Sequence, residues 1–332
     1  MTFSKLLSLC FTLLAAASAA YAALLFLPKD NGAPYRLQIE KGQGMSAASR
    51  KLADDGIVYS RAVLLSAAYL TGTQNSLTAG SYRLDGRISA WQVLQKLKQS
   101  QPDTVRVQII EGMRFSQMRN LINQTENVRH DTAGLGDAEL LHRIAPDAPS
   151  DNPEGLFFPD SYEIDAGAAD IQIFQAAYRK MHEQLDAAWN SRDPSLPYQT
   201  PYEMLIMASL IEKETGHADD RRNVSAVFRN RLARNIRLQT DPSVIYGMGS
   251  AYQGKIRKVD LQRDTPYNTY TRNGLPPTPI ALPGSAALEA AARPENTDYL
   301  YFVSKMDDSG KSHFSRTLDE HNAAVKKYIL KK

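Results

Sequence analysis

Cysteine is almost absent: the one residue of this type in 332, Cys10, lies in an apolar stretch near the start. That excludes a disulfide framework and any Cys-based metal site from the rest of the chain, so its stability must come from packed cores. Histidine is sparse as well. The six, at positions 130, 142, 182, 217, 313 and 321, are scattered, and no His-Glu-x-x-His pair falls on one helical turn. A zinc-hydrolase site of that design is excluded, and neither metal nor cofactor is expected. Charge of one sign is also missing. The formal net charge is +3, with no basic stripe interleaved with aromatics, so nucleic acid is not an expected partner. Ser209 and Lys213 stand four apart rather than the three of a Ser-x-x-Lys acylase, which argues against a peptidase of that type.

One segment lacks charge altogether. Residues 6–28 read LLSLCFTLLAAASAAYAALLFLP, long enough to span a bilayer as a helix, where a cleavable signal needs an apolar region of only ~7–15 residues. Ala20-Tyr21-Ala22 has the form of a cleavage site, but the run continues through Leu24, Leu25, Phe26 and Leu27. An uncleaved, single-pass anchor is therefore expected. Lys5 precedes it, which favours the amino terminus in the cytoplasm and the remainder outside. Over the whole chain, 43% hydrophobic and 23% charged residues describe an ordinary globular protein with room for about two domains.

A Gly-to-Ser junction between an extended stretch and a helical period occurs three times. The pairs are Gly42 with Ser46, Gly86 with Ser89 and Gly112 with Ser116. Each predicts a glycine turn followed by a serine that caps free helix amides. The unit over about 35–100 resembles the glycan-binding LysM module. A polar, Asp-rich passage occupies about 125–152. In EGLFFPDSYEI (154–164) the aromatics are expected in a core rather than in a cleft wall. A helix follows from about 170 to 189, with Ile173, Phe174, Ala177, Met181 and Leu185 on one face.

The chemistry centres on ASLIEKETGHADDRR, residues 208–222. Thr200-Pro201-Tyr202-Glu203 is a capping box with proline at the first helical position. The helix it opens has a buried stripe of Met204, Met207, Ala208 and Ile211, and Gly216 is expected to end it. At 100° per residue, Glu212 and Glu214 leave this helix about 160° apart, so both cannot line one small site. Apolar bulk at Met207, Leu210 and Ile211, and the negative end of the helix dipole, favour a protonated Glu214. Both effects are small, and Glu212 remains open on these grounds. A second helix begins at Asp219 or Asp220. Six arginines between 221 and 237 are either a solvated face or a set of guanidinium groups for an acidic polymer. Gln239, Thr240 and Asp241 lead into a Pro turn towards Tyr246. The loop TPYNTYTRNGLPPTPIALPG (265–284) offers Asn268 and Tyr270 for hydrogen bonding and stacking in a sugar groove, or else is a rigid structural loop. A strand over Tyr299–Ser304, a second strand, a turn and a terminal helix complete the chain.

The runs ASLIEKET, RLQTDPSVIYGMG, YNTY, GLPPTPIALPG and YLYFV…HFSRTLDEHN, with IIEGM and EGLFFPDSYEI, are similar in order and spacing to the MltG (YceG-like) endolytic murein transglycosylases. The similarity covers essentially the whole chain beyond residue 30. It implies an α+β fold with an N-terminal membrane anchor (1–30), a small LysM-like βα module (31–103) and a mixed α/β YceG-like catalytic domain (104–332) with a lysozyme-like glutamate helix. It further implies endolytic cleavage of peptidoglycan glycan strands near the inner membrane, at the MurNAc-GlcNAc β-1,4 bond, in glycan chain termination beside peptidoglycan synthases. Lysozyme-like relatives carry the acid in a Glu-Ser pair, which Glu214-Thr215 matches better than Glu212-Lys213. Glu214 is thus the expected acid, with Glu212 and Asp241 as supporting residues. Gln239, Thr240, Tyr246, Asn268 and Tyr270 are the expected substrate contacts. A transglycosylase needs only one carboxyl residue, because the muramic acid C6 hydroxyl serves as nucleophile. A non-catalytic glycan-binding or division scaffold is the rival reading, and the Glu-Lys-Glu-Thr run counts against it.

Overall fold

The computed structural model describes residues 3–99, 102–307 and 309–330. It is a mixed α/β structure in two compact units: Met1–Val105 with Glu163–Ala168, and Arg106–Tyr162 with Ala169–Lys332. The chain passes from the first unit to the second within the strand Thr104–Gln108 and returns briefly within the strand Ser161–Asp165.

The first unit starts with α1 (Phe3–Phe26), the one helix among the described residues long and apolar enough to cross a membrane. Its 24 residues extend about 36 Å at 1.5 Å per residue, against a hydrocarbon thickness of about 30 Å. Most of α1 is exposed. Only its last turns join the core: Leu25 is buried, the Tyr21 hydroxyl lies 3.0 Å from Ser66 Oγ, and Phe26 packs on Trp91 with ring centroids 5.5 Å apart. The strand Tyr35–Ile39, α2 (Met45–Asp54), α3 (Arg61–Thr71) and the strand Gly80–Leu84 follow in a β-α-α-β order, and α4 (Ala90–Gln99) completes the unit. The two strands pair antiparallel, with Leu37 opposite Tyr82 and both buried. A second antiparallel pair joins Lys29–Asp30 to Arg87–Ile88.

Of the three expected serine caps, one forms. Ser89 Oγ accepts the Gln92 amide at 3.2 Å, and the Gln92 side chain accepts the Ser89 amide at 2.8 Å. At the other two junctions helix formation starts earlier. Gly44 caps α2 and Arg114 caps α5 (Phe115–Asn123), which leaves Ser46 and Ser116 inside the first turns. Ser46 instead accepts Arg61 Nη2 at 3.1 Å.

The second unit adds α6 (Asp137–Ile144), α7 (Ile171–Asn190), α8 (Pro201–Glu214), α9 (Ala218–Ala233), α10 (Asp241–Met248), α11 (Lys258–Gln262) and α12 (Ser285–Ala292). A hairpin of Tyr301–Ser304 with Ser312–Ser315 and a terminal helix, α13 (Leu318–Val325), follow. The polar passage before residue 152 thus contains α6. At the start of α8, Thr200 Oγ1 accepts the Glu203 amide at 3.2 Å and Pro201 is the first helical residue, as the capping signal predicts. The helix is more deeply placed than a one-sided stripe implies: every residue from Met204 to Ile211 is buried. A helix apolar on all sides belongs at a domain centre, and α7, α9, α10 and α12 pack around this one. Even Ser209 is sealed in, donating to the Ile206 carbonyl at 2.7 Å and accepting the Ile280 amide at 3.0 Å. The small side chains of α12 (Ala287, Ala290 and Ala291, all buried) allow close approach of that helix. Phe157 and Phe158 are core residues, and Phe157 meets Phe115, Phe174 and Tyr178 at centroid distances of 5.2, 5.9 and 5.9 Å.

Candidate active site

The central helix ends at Glu214, two residues before Gly216, where a glycine stop would end it, but the means is different. Thr215, with φ −144° and ψ 131°, is the C-cap, and Gly216 has no left-handed conformation. Extended backbone at Thr215 ends the helix directly after the glutamate.

Glu212 and Glu214 then reach different neighbours. Glu212 Oε2 accepts the Gly284 amide at 3.0 Å, beside Glu111, while Lys213 donates to the Gly112 carbonyl at 3.0 Å. Glu214 Oε2 accepts the Thr240 hydroxyl at 2.7 Å. Thr240 is 2% exposed, and its own amide donates to Thr269 Oγ1 at 3.0 Å. Thr269 also lies 2.9 Å from Ser243 Oγ, which donates to the Thr240 carbonyl at 2.8 Å. That closed set of hydroxyls fixes the direction of the Thr240 donor and hence one oxygen of Glu214. The turn that delivers Thr240 is strained: Gln239 has φ 53°, a left-handed value that costs a non-glycine residue on the order of 1 kcal/mol.

Asp241, exposed at the first position of α10, accepts the Tyr270 hydroxyl at 2.5 Å. Asn268 holds Tyr270 in place by accepting its amide at 2.8 Å. The Asn268 carboxamide nitrogen donates to the carbonyls of Asp260, Leu261 and Arg263, and the residue is 1% exposed. Asn268 is therefore an internal tie of the 260–270 loop and reaches a ligand only through Tyr270.

The arginine row of α9 is largely structural. Arg231 is buried and donates to the carbonyls of Leu300, Arg237 and Leu238 and to the Gln239 side chain. Arg222, Arg229 and Arg237 likewise donate to the backbone carbonyls of Arg293, Thr297 and Tyr270. A regular solvated face would not require such specific partners.

Electrostatics follow from these neighbours. Burial is the main cause that holds Glu214 protonated above the usual carboxylate range, and the Asp241 charge acts in the same direction. The Thr240 hydrogen bond and the Arg231 guanidinium oppose it. Glu212 is raised as well, first by burial and then by Glu111, against the Gly284 amide and the charges of Arg221 and Lys213. Burial raises the Tyr270 hydroxyl, and so does its bond to Asp241, so it remains a donor.

The structure thus gathers Glu214, Thr240, Asp241, Tyr270 and, through Arg231, Gln239. Glu212 and Tyr246 lie elsewhere. Tyr246, further along α10, lies beside Asn152 and Glu154 and meets Tyr267 edge to face, with centroids 4.8 Å apart. Glu154 has no counterpart among the sequence candidates. It is 4% exposed, accepts the Phe115 amide at 2.9 Å, and burial pushes its carboxyl up to about 7. The signal available was a charged residue directly ahead of a buried aromatic run. Gly155 beside it has φ +80°, and a Cβ there would fall 2.4 Å from Pro279 Cβ, so the turn admits only glycine.

Comparison with known proteins places these observations in a family. Residues 37–327 match the model of the YceG-like family. A Bacillus subtilis protein named endolytic murein transglycosylase is 30% identical over 319 residues, covering 92% of this chain and 87% of its own length. A Streptococcus pneumoniae protein of the same name is 29% identical over 184 residues, 54% of this chain and 33% of its own. Among solved structures, a putative YceG-like protein of Listeria monocytogenes is similar, with a TM-score of 0.55 and 28% identity over 87% of this chain and 98% of its own.

Proposed function

The chain belongs to the YceG-like family and is an endolytic peptidoglycan lytic transglycosylase, and we propose that Glu214 is its single acid–base residue. The observation that carries this assignment is the pairing of a half-buried, proton-retaining carboxyl with one fixed donor, Thr240. Thr240 occupies Oε2 and leaves Oε1 to hold and deliver the proton. In the forward step Oε1–H protonates the glycosidic oxygen between MurNAc C1 and GlcNAc C4, and the C1–O bond breaks. The MurNAc C6 hydroxyl attacks C1, and its proton passes to the Glu214 carboxylate. The products are a 1,6-anhydroMurNAc end and a free 4-hydroxyl, with the acid restored and no water consumed. Positive charge on C1 in the transition state is eased by the Asp241 carboxylate, which Tyr270 holds in place. Gln239, exposed beside this group, is read as a substrate contact, while Thr240 acts through Glu214 and Asn268 through Tyr270. Glu212 supports the helix end through Gly284.

The β-α-α-β unit over 35–84 is read as a LysM-like glycan-binding module, in accord with its element order. The charge-free α1 serves as a single-pass inner-membrane anchor with the catalytic unit in the periplasm, where nascent strands emerge beside peptidoglycan synthases. Cleavage there ends glycan chains. Mass spectrometry of digests of purified peptidoglycan tests the reading: anhydromuramic ends support it, reducing ends indicate a hydrolase, and intact strands indicate a scaffold.

A further inference from the structure

The second unit holds a cavity of about 410 Å³ lined by Arg114, Asn152, Glu154, Tyr246 and Tyr267, among others. We propose that this cavity is a second glycan subsite that takes a saccharide unit bearing a carboxylate, with Arg114 as the recognising group. The proposal rests on the transglycosylase reading of the same domain.

Three features carry it. Two tyrosine rings set edge to face give a pyranose an apolar wall, and their shared contact resists collapse into the space. Arg114 lies over the Tyr246 ring at 5.1 Å and is steadied by a 3.2 Å bond from Nη2 to the Ile245 carbonyl. That leaves other guanidinium donors for a carboxylate, which suits the planar fork of arginine. The third feature is position. Tyr246 and Asp241 belong to α10 and are five residues apart, about 7.5 Å along its axis and about 140° around it, so the cavity is a place separate from the Glu214 group, and a strand that engages both must pass round α10.

Glu154 tunes the charge of this cavity. It faces Arg114 and the hydroxyls of Tyr246 and Tyr202, with Tyr267 on the same wall. Asp137 also lines the space but is paired with Arg119. Below about pH 7 Glu154 is neutral and Arg114 presents uncompensated positive charge. Above it Glu154 ionises and offsets Arg114, so affinity for an anionic ligand falls as pH rises.

The test uses the full chain in detergent, carrying Glu214→Gln to stop turnover, titrated calorimetrically with two probes. One is a glycan fragment bearing peptide-stem carboxylates; the other is chitotetraose, which has none. Arg114→Gln should weaken the first by on the order of tenfold and change the second less than about twofold. Unchanged binding of the carboxylate probe, equal loss with both probes, or no binding of either before the change overturns the proposal. Should Arg114→Gln lose its fold, Glu154→Gln decides by pH. Carboxylate-probe affinity should fall severalfold from pH 6 to 8 with Glu154 present and stay level with Gln; an unaltered slope overturns the proposal. Carboxylate-selective binding without anhydro products from the unsubstituted chain would sink the transglycosylase reading alone.

Discussion

On one side of the last turn of α8, a carboxylate accepts a backbone amide of the loop at Gly284; on the other, a carboxyl receives a side-chain hydroxyl from Thr240. Both belong to glutamates two residues apart, and both are raised by burial. The difference lies in what holds them. The Gly284 amide joins Glu212 to the first turn of α12, a task a structural carboxylate performs throughout proteins. Thr240 belongs to a shell of hydroxyls that adds no charge, and Asp241 next to it is a second acid. Neither burial nor one held oxygen separates the two glutamates; the hydroxyl donor and the Asp241 carboxylate beside it are what favour Glu214.

Substitutions break or sharpen this contrast to different degrees. The largest effect is expected from Glu214→Gln, which keeps the Thr240 bond and cannot deliver a proton. Strand cleavage should fall by a factor on the order of 10²–10⁴ in turnover assays, with the melting temperature held.

Next comes Glu154, a buried carboxyl outside that contrast. Its folded-state value of about 7 lies above the ordinary 4.5, so the folded chain binds the proton more tightly than the unfolded one. The stability this lends is complete below about pH 4.5 and is lost as pH rises through about 7, up to about 3 kcal/mol. Glu212 and Glu214 contribute with the same sign. Glu154→Gln should therefore flatten the fall in melting temperature between pH 5 and 8, and a variant as pH-sensitive as the parent would refute the cause.

A smaller change is predicted for Thr240→Val. Loss of a donor that favours the ionised form should raise Glu214 further and carry the alkaline limb of the pH–rate profile to higher pH. A limb that moves down, or stays, would show that Thr240 does not set the acid. The least effect belongs to Glu212→Ala, which leaves the Gly284 amide without its acceptor. Denaturant unfolding should register about 1 kcal/mol of destabilisation while cleavage persists.

Local signals were legible in the sequence because their causes are local. The Thr200 cap, Pro201, the divergence of the two glutamates and the terminal hairpin all depend on spacing of a few residues. The stop at Gly216 was placed correctly, though the glycine is not left-handed, and two of three serine caps failed, because helix ends are also set by what surrounds them. Thr215 ends α8 in an extended conformation, and Gly44 and Arg114 start their helices before the serines. Thr240, Asp241 and Tyr270 were named from the sequence, but their convergence on Glu214 depends on chain paths of more than twenty residues, which periodicity does not encode. Asn268 was read as a sugar ligand because its side chain can hydrogen-bond; the fold uses that capacity inside the loop. Glu154 was missed since a lone glutamate before aromatics looks like a turn residue until its burial is seen.

The central claim, that Glu214 and not Glu212 moves the proton, is tested most directly by paired product analysis. Peptidoglycan is digested with the unsubstituted chain, Glu212→Gln and Glu214→Gln under one set of conditions, and anhydromuropeptides are counted by mass spectrometry. Anhydro products should appear with the unsubstituted chain and with Glu212→Gln, and be lost with Glu214→Gln. Their persistence with Glu214→Gln and loss with Glu212→Gln would contradict the assignment and move the acid to the Gly284 side of the helix.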